Sequence, residues 1–499
     1  MDHFQTYIVT ILGYFVLGIY LLCLLVIGIY CIFQFHLLTF YLRDRNLQVD
    51  IGETVSDSEL PMVTVQLPMY NEYYVVERLI DNIVKLDYPK DKLEIQVLDD
   101  STDDSLALTR SKVEEYQEKG FDIKLMTRVL RHGYKAGALK DATPYAKGEF
   151  IAIFDADFLP DPDFLTQTIP HFSDSKVGVV QTRWGHINQR YSLLTELQAF
   201  QLNVHFTVEQ KGRASGNLML QFNGTAGLWR KETILDSGGW EADTLTEDLD
   251  LSYRAQLKGW KVVFLEDIKS PAELPARMEG LKSQQHRWMK GGAETAKKLL
   301  PQVWASDISL LKKIHASIHL LGSSVFLCVF LVGVFSVPLL YFINPLEIDV
   351  NILSLFLIST LLIGIVYYVA NVRKAWEEKS KLKAIFKFIF LFPAFLSLSM
   401  GLSFHNSLAV LQGYLGKKSA FIRTPKFNIK TISDSFKKTR YTKTSLSFVT
   451  IMEGLLSLFF LVAIIMGIKT GNMSFLLFHI LLFLGYSTIF CLSVKHGRT

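Results

Sequence analysis

Six apolar runs punctuate this chain, and they decide most of what it can fold into. Tyr7–Phe33, His319–Ile343, Val350–Ala370, Ala384–Gly413, Leu446–Ile468 and Phe475–Val494 each exceed the roughly 18 residues needed to cross a hydrocarbon core. The stretch between the first and second runs has a different texture. From about residue 40 to 295, short apolar runs alternate with amphipathic segments and turn signals, which is the pattern of strands and crossover helices. The chain therefore reads as an α/β domain inserted between α-helical membrane segments. The first run lacks a basic leading region and a small-residue cleavage site and is longer than a signal peptide's apolar core, so a retained anchor is expected.

The segments beyond the α/β domain can be ordered by charge. The first six residues carry one acid and no Lys or Arg, whereas 373–383 and 417–443 are basic, which turns the α/β domain toward the cytosol. The stretch 414–444 holds nine Lys or Arg against the single acid Asp434 and belongs on the same side. A single crossing by Ala384–Gly413 would put it on the other. That run, interrupted by Pro393 and Gly401, is therefore expected to be a short helical hairpin or a bent interfacial element. "AKKLLPQVWASDISLLKKI" (296–314) mixes lysines with Leu, Val, Trp and Ile, as a helix lying in the membrane interface does. The expected divisions are an anchor over 1–39, the α/β domain over 40–295, the interfacial helix over 296–314, membrane helices over 315–413, the basic segment over 414–444 and a membrane hairpin over 445–499. Cys23, Cys31, Cys328 and Cys491 all fall in apolar runs without ligand spacing, so no disulfide framework is expected. The net charge of +4 is small and the basic excess is local, so a nucleic-acid partner is not expected.

Strand candidates are "VTVQL" (63–67), "EIQVL" (94–98), "FIAIF" (150–154), "VGVVQ" (177–181) and "KVVFL" (261–265), whose continuous apolar character suits a mostly parallel sheet covered on both faces. Ligands bind beyond the carboxyl ends of such strands. Asp155 and Asp157 sit there, and their i, i+2 spacing can bring both near one hard cation such as Mg²⁺ or Mn²⁺ bridging a diphosphate, although D-x-D by itself equally suits a solvated turn. Asp99 and Asp100 end another strand, where a carboxylate can accept from a base N–H; a helix cap is the plainer reading of "DDSTDD". Lys135 in "GYKAGAL" stands at a helix start, a place suited to a diphosphate, or is simply a surface lysine. "TLTEDLDLSYRA" (244–255) looks like a capped helix start with more acids than capping needs, and Asp248 is the candidate general base. In "QQHRW", Arg287 can pair with a departing diphosphate and Trp288 offers a flat face to a sugar ring, while His286 reads as structural.

The order of these signals says more than any one of them. "VQLPMYNE", "IQVLDDSTDDS", "GYKAGALK", "IFDADFLPDPDFL", "HFTVEQ", "FNGTAGLWR", "TEDLDLSYRAQLKGWK" and "QQHRW", spread over roughly 63–290 and followed by membrane runs, resemble the processive family 2 glycosyltransferases, which include cellulose, hyaluronan and chitin synthases, and most closely the plant cellulose-synthase-like mannan and glucan synthases. The resemblance implies a GT-A type α/β domain that binds a nucleotide-sugar donor. It implies donor contacts for Asp99, Asp100, Lys135, Asp155, Asp157 and Arg287, with the metal at Asp155 and Asp157 and the general base at Asp248. It implies acceptor contacts for Glu247, Asn223, Gly224, Thr225, Gln284 and Trp288. "FIRTPK" (421–426) resembles the gating loop of these synthases, bringing in Thr424 and Lys426, with Arg423 where Val is usual.

The expected activity is that of an inverting β-glycosyltransferase, metal-dependent, using UDP-glucose or GDP-mannose to extend a β-linked polysaccharide and feed it into the membrane. One-step transfer of a sugar to a lipid acceptor is the rival chemistry. A catalytically silent membrane scaffold or transporter is the rival of another class.

Overall fold

Every residue of β4 (Phe150–Ile153) is buried, and its side chains divide between two cores: Phe150 and Ala152 on one face, Ile151 and Ile153 on the other. A strand apolar on both sides can only sit inside a sheet covered on both faces. This is a computed structural model, and it describes residues 3–44, 60–344, 346–347, 355–372, 381–419, 424, 426–429, 434 and 447–497. Arg423 and most of the basic stretch 420–446 lie outside the described residues.

Among the described residues, seven strands form one mixed sheet in the order β3-β2-β1-β4-β6-β5-β7. The five expected strands are β1 (Val63–Met69), β2 (Leu93–Asp99), β4, β5 (Val177–His186) and β7 (Lys261–Ala272). Two more complete it, β3 (Asp122–Met126) at the edge and β6 (Gly227–Arg230) between β4 and β5. β6 alone runs against its neighbours; the other pairings are parallel. The register Met69↔Asp99 aligns the ends of β1 and β2, so the loops after the parallel strands and the approach to β6 gather along one edge.

Among the described residues, five helices are long and apolar enough to cross a membrane: Tyr7–Asp44, Gly322–Phe342, Lys381–Gly401, Phe448–Thr470 and Leu476–Gly497; Leu357–Val372 is shorter. The expected interfacial helix over 296–314 is divided. The helix carrying "QQHRW" runs on as Met278–Ala305, and a second, Leu310–Leu320, starts where the Ser309 hydroxyl accepts from the Lys312 N–H. A helix capped by a serine begins anew rather than continuing, and the local "SDIS" enforces the break.

Ala384–Gly413 is likewise two helices, Lys381–Gly401 and Ser403–Tyr414. Lys387 near the start pairs with Glu196 of the α/β domain, and Gln412 Oε1 near the end accepts from His286 Nε2 at 3.0 Å. Both helices of the element thus contact the part of the chain that precedes the membrane-length helices after residue 320. Its bend sits where Gly401 lies against the backbone of Gly485, a contact that a Cβ on Gly401 would prevent.

The helix Met278–Ala305 joins the domain to the membrane. Its first turn is held by the C-terminal helix: the Met278 N–H donates to His496 Nδ1 at 3.0 Å, and Arg277 bonds the His496 carbonyl. One turn on, Lys282 pairs with the buried Glu453 at 2.5 Å and donates to Ser493 at 2.8 Å.

Candidate functional site

A cleft of about 170 Å³ opens along the carboxyl edge of the sheet. Its walls include Asp100, Lys135, Asp155, Asp157, Gln284, Arg287, Thr424 and Lys426. Residues separated by hundreds of positions thus meet in one place.

Lys135 is the centre of the arrangement. Gly133 and Tyr134 both take positive φ, 69° and 50°, which turns the chain sharply into the helix Tyr134–Ala142. Gly137 lies against the His132 carbonyl, where a larger residue would block the turn. The Lys135 ammonium then bonds Asp155 and donates to the Gly224 carbonyl at 2.8 Å. Burial works against its charge, but Asp155 and Glu247 beside it outweigh that and leave its pKa raised.

The segment "FNGTAG" is tied to the same point. The Asp155 N–H donates to Thr225 Oγ1 at 2.9 Å, Gly224 has φ 78°, and Asn223 is fixed by Gln210 (2.7 Å) and His205 (2.8 Å). His205 and Gln210 bound a π-helical turn, His205–Gln210, which the chain spends on aiming both side chains at Asn223.

Glu247 and Asp248 open the helix Glu247–Leu257. Thr246 does not cap it; its hydroxyl meets Thr295 at 3.0 Å on the helix Met278–Ala305. Burial, reinforced by the adjacent Glu247 charge, pushes the Asp248 carboxyl up to about 7, and burial raises Glu247 as well. Arg287 is drawn down by burial to about 10 and still carries its charge at neutral pH. A neutral-pH carboxyl base, a lysine and an arginine around one carboxylate form a set suited to proton transfer beside a charged leaving group.

The early acids are differently used. Asp99 is buried and accepts from the Ser101 N–H at 2.8 Å, closing a turn, while Asn71, at φ 56°, accepts from the Thr102 N–H at 2.8 Å to lace the two loops together. Asp100 lines the cleft and is gripped by Arg128 at 2.5 and 3.0 Å. Trp288 is half-buried and stands outside the cleft-lining set, and His286 is satisfied by Gln412.

Thr424 and Lys426 roof the cleft. Thr424 accepts from Arg287 at 3.1 Å, Lys426 donates to Asp157 at 2.7 Å and to the Glu273 carbonyl at 2.6 Å, and the Phe427 N–H donates to the Glu273 carboxylate at 2.9 Å. Arg78 fixes Asn428 at 2.5 Å, and Lys290 holds the Lys417 carbonyl at 2.5 Å. Sequence reasoning did not reach Arg78, Arg128, Arg131 or Glu273. Cations and an acid scattered through loops have no period, and only the folded carboxylates they serve reveal them.

The two D-x-D acids differ in their fitness for a metal. Lys135 takes one oxygen of Asp155, whose side chain is 38% exposed, whereas the Asp157 side chain is 6% exposed and engaged by both Lys426 and the Glu273 N–H. One accessible carboxylate suits a hard cation that draws its other ligands from phosphate oxygens and water. Among the described residues, Glu241, Asp243 and Asp250 are close enough together to share a cation, but Lys298 already sits among them at 2.6–3.0 Å.

Comparison with known proteins adds to this geometry. Residues 61–291 match a family model described as glycosyltransferase like family 2. The chain is 43% identical over 272 residues to glucomannan 4-beta-mannosyltransferase 1 of Oryza sativa subsp. japonica, covering 53% of this chain and 52% of that protein. It is 43% identical over 259 residues to glucomannan 4-beta-mannosyltransferase 7 of Arabidopsis thaliana, covering 51% and 47%. The chain spans about half the length of the curated relatives it matches. A solved mannosyltransferase from Pyrobaculum calidifontis, in complex with GDP-Man and Mn²⁺, is 20% identical and covers 79% of this chain and 100% of that one, with a TM-score of 0.49.

Proposed function

We propose, on the premise that residues 61–291 are a family 2 glycosyltransferase domain, that this chain is a membrane-embedded inverting β-glycosyltransferase, moving a hexose from a nucleotide-diphosphate sugar to the end of a growing β-1,4-linked polysaccharide. The names of the curated relatives favour a mannosyl donor, with a glucosyl donor as the other expectation. The observation that carries the reading is the meeting of Asp248, Glu247, Lys135, Asp155 and Arg287 at the roofed end of the sheet.

In this reading Lys135 and Arg287 bind the diphosphate and hold charge as it develops on the leaving group, the place where electrostatic stabilisation gains most. Asp155, with Asp157 two residues on, would hold a divalent cation, Mg²⁺ or Mn²⁺, which would offset charge on the diphosphate. Asp248 takes the proton of the attacking hydroxyl. Its raised pKa makes it a stronger base than an exposed aspartate while leaving it ionised in much of the population near pH 7. Asn223, Gly224, Thr225, Glu247, Gln284 and Trp288 are assigned to the acceptor. Thr424 and residues 426–429 cover the donor and keep water from competing with the acceptor.

The α/β domain and the segment carrying Thr424 and Lys426 are assigned to the cytosolic side. The basic flanks and the contacts of Lys387 with Glu196 and of Gln412 with His286 support that orientation.

Detergent-purified protein, given labelled GDP-mannose and UDP-glucose in turn, is expected to release nucleotide diphosphate from one of them and build a polymer, and Asp248→Asn to slow both about 10²–10⁴-fold. Product size separates chain extension from one-step transfer to a lipid. Release from neither donor would leave the silent-scaffold alternative standing.

A further inference from the structure

The motif "HFTVEQ" carries two side chains that the transfer steps above do not use, His205 and Glu209. Both belong to the π-helical turn, and both lie on a line of hydrogen bonds that ends at Asn223. The Gln221 carbonyl can only accept, so the atom that meets it at 2.6 Å is the Gln210 amide nitrogen, which also donates to Asn223 Oδ1 at 2.7 Å. That turns Asn223 Nδ2 toward His205 Nε2 at 2.8 Å. An amide nitrogen only donates, so Nε2 carries no proton, and the ring N–H is at Nδ1, 2.8 Å from the Glu209 carboxylate. Glu209 Oε1 accepts in turn, at 2.8 Å, from the buried Gln34 of the membrane-length helix Tyr7–Asp44.

Burial works against the Glu209 charge, but His205, Arg213 and Gln34 outweigh it and leave its pKa lowered. The carboxylate therefore stays an acceptor and holds the imidazole in one tautomer. The chain just after the turn is seated on the same long helix: a Cβ on Gly212 would stand 2.5 Å from the Leu37 carbonyl. At the other end of the line lies the chemistry. A Cβ on Gly224 would stand 3.0 Å from Asp248 Oδ2, and the Gly224 carbonyl accepts from Lys135. Of the two N–H groups and two lone pairs of its amide, Asn223 uses one each on His205 and Gln210 and has one each for a sugar hydroxyl.

We propose that His205 and Glu209 are positioning residues for the acceptor: braced by Gln34, they fix the Asn223 amide in the orientation that presents the attacking hydroxyl to Asp248. Their role rests on the glycosyltransferase reading and deepens it by naming what aims the acceptor.

The test uses the full chain in detergent with the labelled nucleotide sugar it consumes, and compares hexose built into polymer with hexose set free by water. His205→Leu removes the acceptor of the Asn223 bond. His205→Gln restores it, because a glutamine amide also offers one acceptor and one donor. Glu209→Gln keeps the shape but puts a donor where one of the two bonds to Glu209 needs an acceptor. Incorporation relative to hydrolysis is expected to fall about 10–100-fold in His205→Leu and in Glu209→Gln, the scale of a reactant misplaced by an ångström, and to stay within about threefold of wild type in His205→Gln. Calorimetric binding of GDP and UDP is expected to change by less than about threefold in all three. Thermal unfolding identifies a misfolded variant, and Glu209→Gln, the milder change, then decides. Incorporation in Glu209→Gln within about threefold of wild type, a matching loss of nucleotide affinity, or a His205→Gln no better than His205→Leu overturns the positioning role and leaves the glycosyltransferase reading standing. If wild type consumes neither GDP-mannose nor UDP-glucose, both fall.

Discussion

Replacing Asp248 by asparagine should slow the enzyme and stabilise the protein, and the two effects have separable sizes. Asparagine keeps the shape and removes the charge. Burial and Glu247 raise the carboxyl from 3.8 to about 7, roughly three pH units, or ~4 kcal/mol at 1.36 kcal/mol per unit. Asp248 is only partly buried, and screening by water reduces the recoverable part to about 2–4 kcal/mol. The sign follows from linkage. Below about pH 4 both folded and unfolded chains hold the proton and no penalty exists; the penalty grows between pH 4 and 7 and is complete above 7.

Asp248→Asn should therefore unfold at a higher temperature than wild type at pH 8 and at nearly the same temperature at pH 4. Its turnover should fall about 10²–10⁴-fold, or ~3–6 kcal/mol in the barrier, if the carboxylate is the general base. For wild type, kcat/KM should rise with pH through about 7 as the working carboxylate forms. Intrinsic-fluorescence melting in detergent, run beside a nucleotide-release assay, measures both. Turnover within tenfold of wild type, or a lower melting temperature at pH 8, would refute the assignment of a strained base to this position.

Lys426→Ala removes the cation facing the buried Asp157, a loss of about 3–5 kcal/mol for a broken buried pair; hydrogen exchange over 424–429 should accelerate and the donor KM rise while the sheet stays protected. Unchanged exchange in 424–429 would show that the roof is held by other contacts. Glu453→Leu strands the Lys282 charge and should lower the melting temperature, whereas adding Lys282→Met should recover most of the loss, since a buried pair is replaced well by apolar packing. Removal of divalent ions by a chelator should stop nucleotide release and weaken GDP binding in the wild type, with Mg²⁺ or Mn²⁺ restoring both, but restoring neither in Asp155→Asn.

The strands of the sheet centre were legible because burial on two faces leaves only apolar residues to use: "FIAIF" has no alternative to the middle of a sheet. β3 and β6 were not. "DIKLM" lies at an edge with partly exposed side chains, and "GLWR" is four residues whose direction is set by the gap between β4 and β5 rather than by its own sequence. The acids of the cleft could be picked out because each ends or follows an element. What each acid does could not, because the answer depends on cations far away in sequence. Asp100 meets Arg128 and Asp157 meets Lys426, 269 residues on. The division of 384–413 into two helices was legible in Pro393 and Gly401, and the close approach of Gly401 to the Gly485 backbone, which fixes where the bend falls, was not.

The reversed direction of β6 has a consequence for how such a chain can change. A strand that runs with its neighbours brings only the loop after it to the working edge, but β6 brings the segment before it, so residues 223–226 arrive beside residues 154–157 and Thr225 holds the very amide of Asp155. Two recognition surfaces hang on one shared peptide link. On the proposed assignment of residues 223–225 to the acceptor and Asp155 to the donor, a substitution that reshapes the first would also tilt the second, and lineages that switch product would be obliged to alter both together.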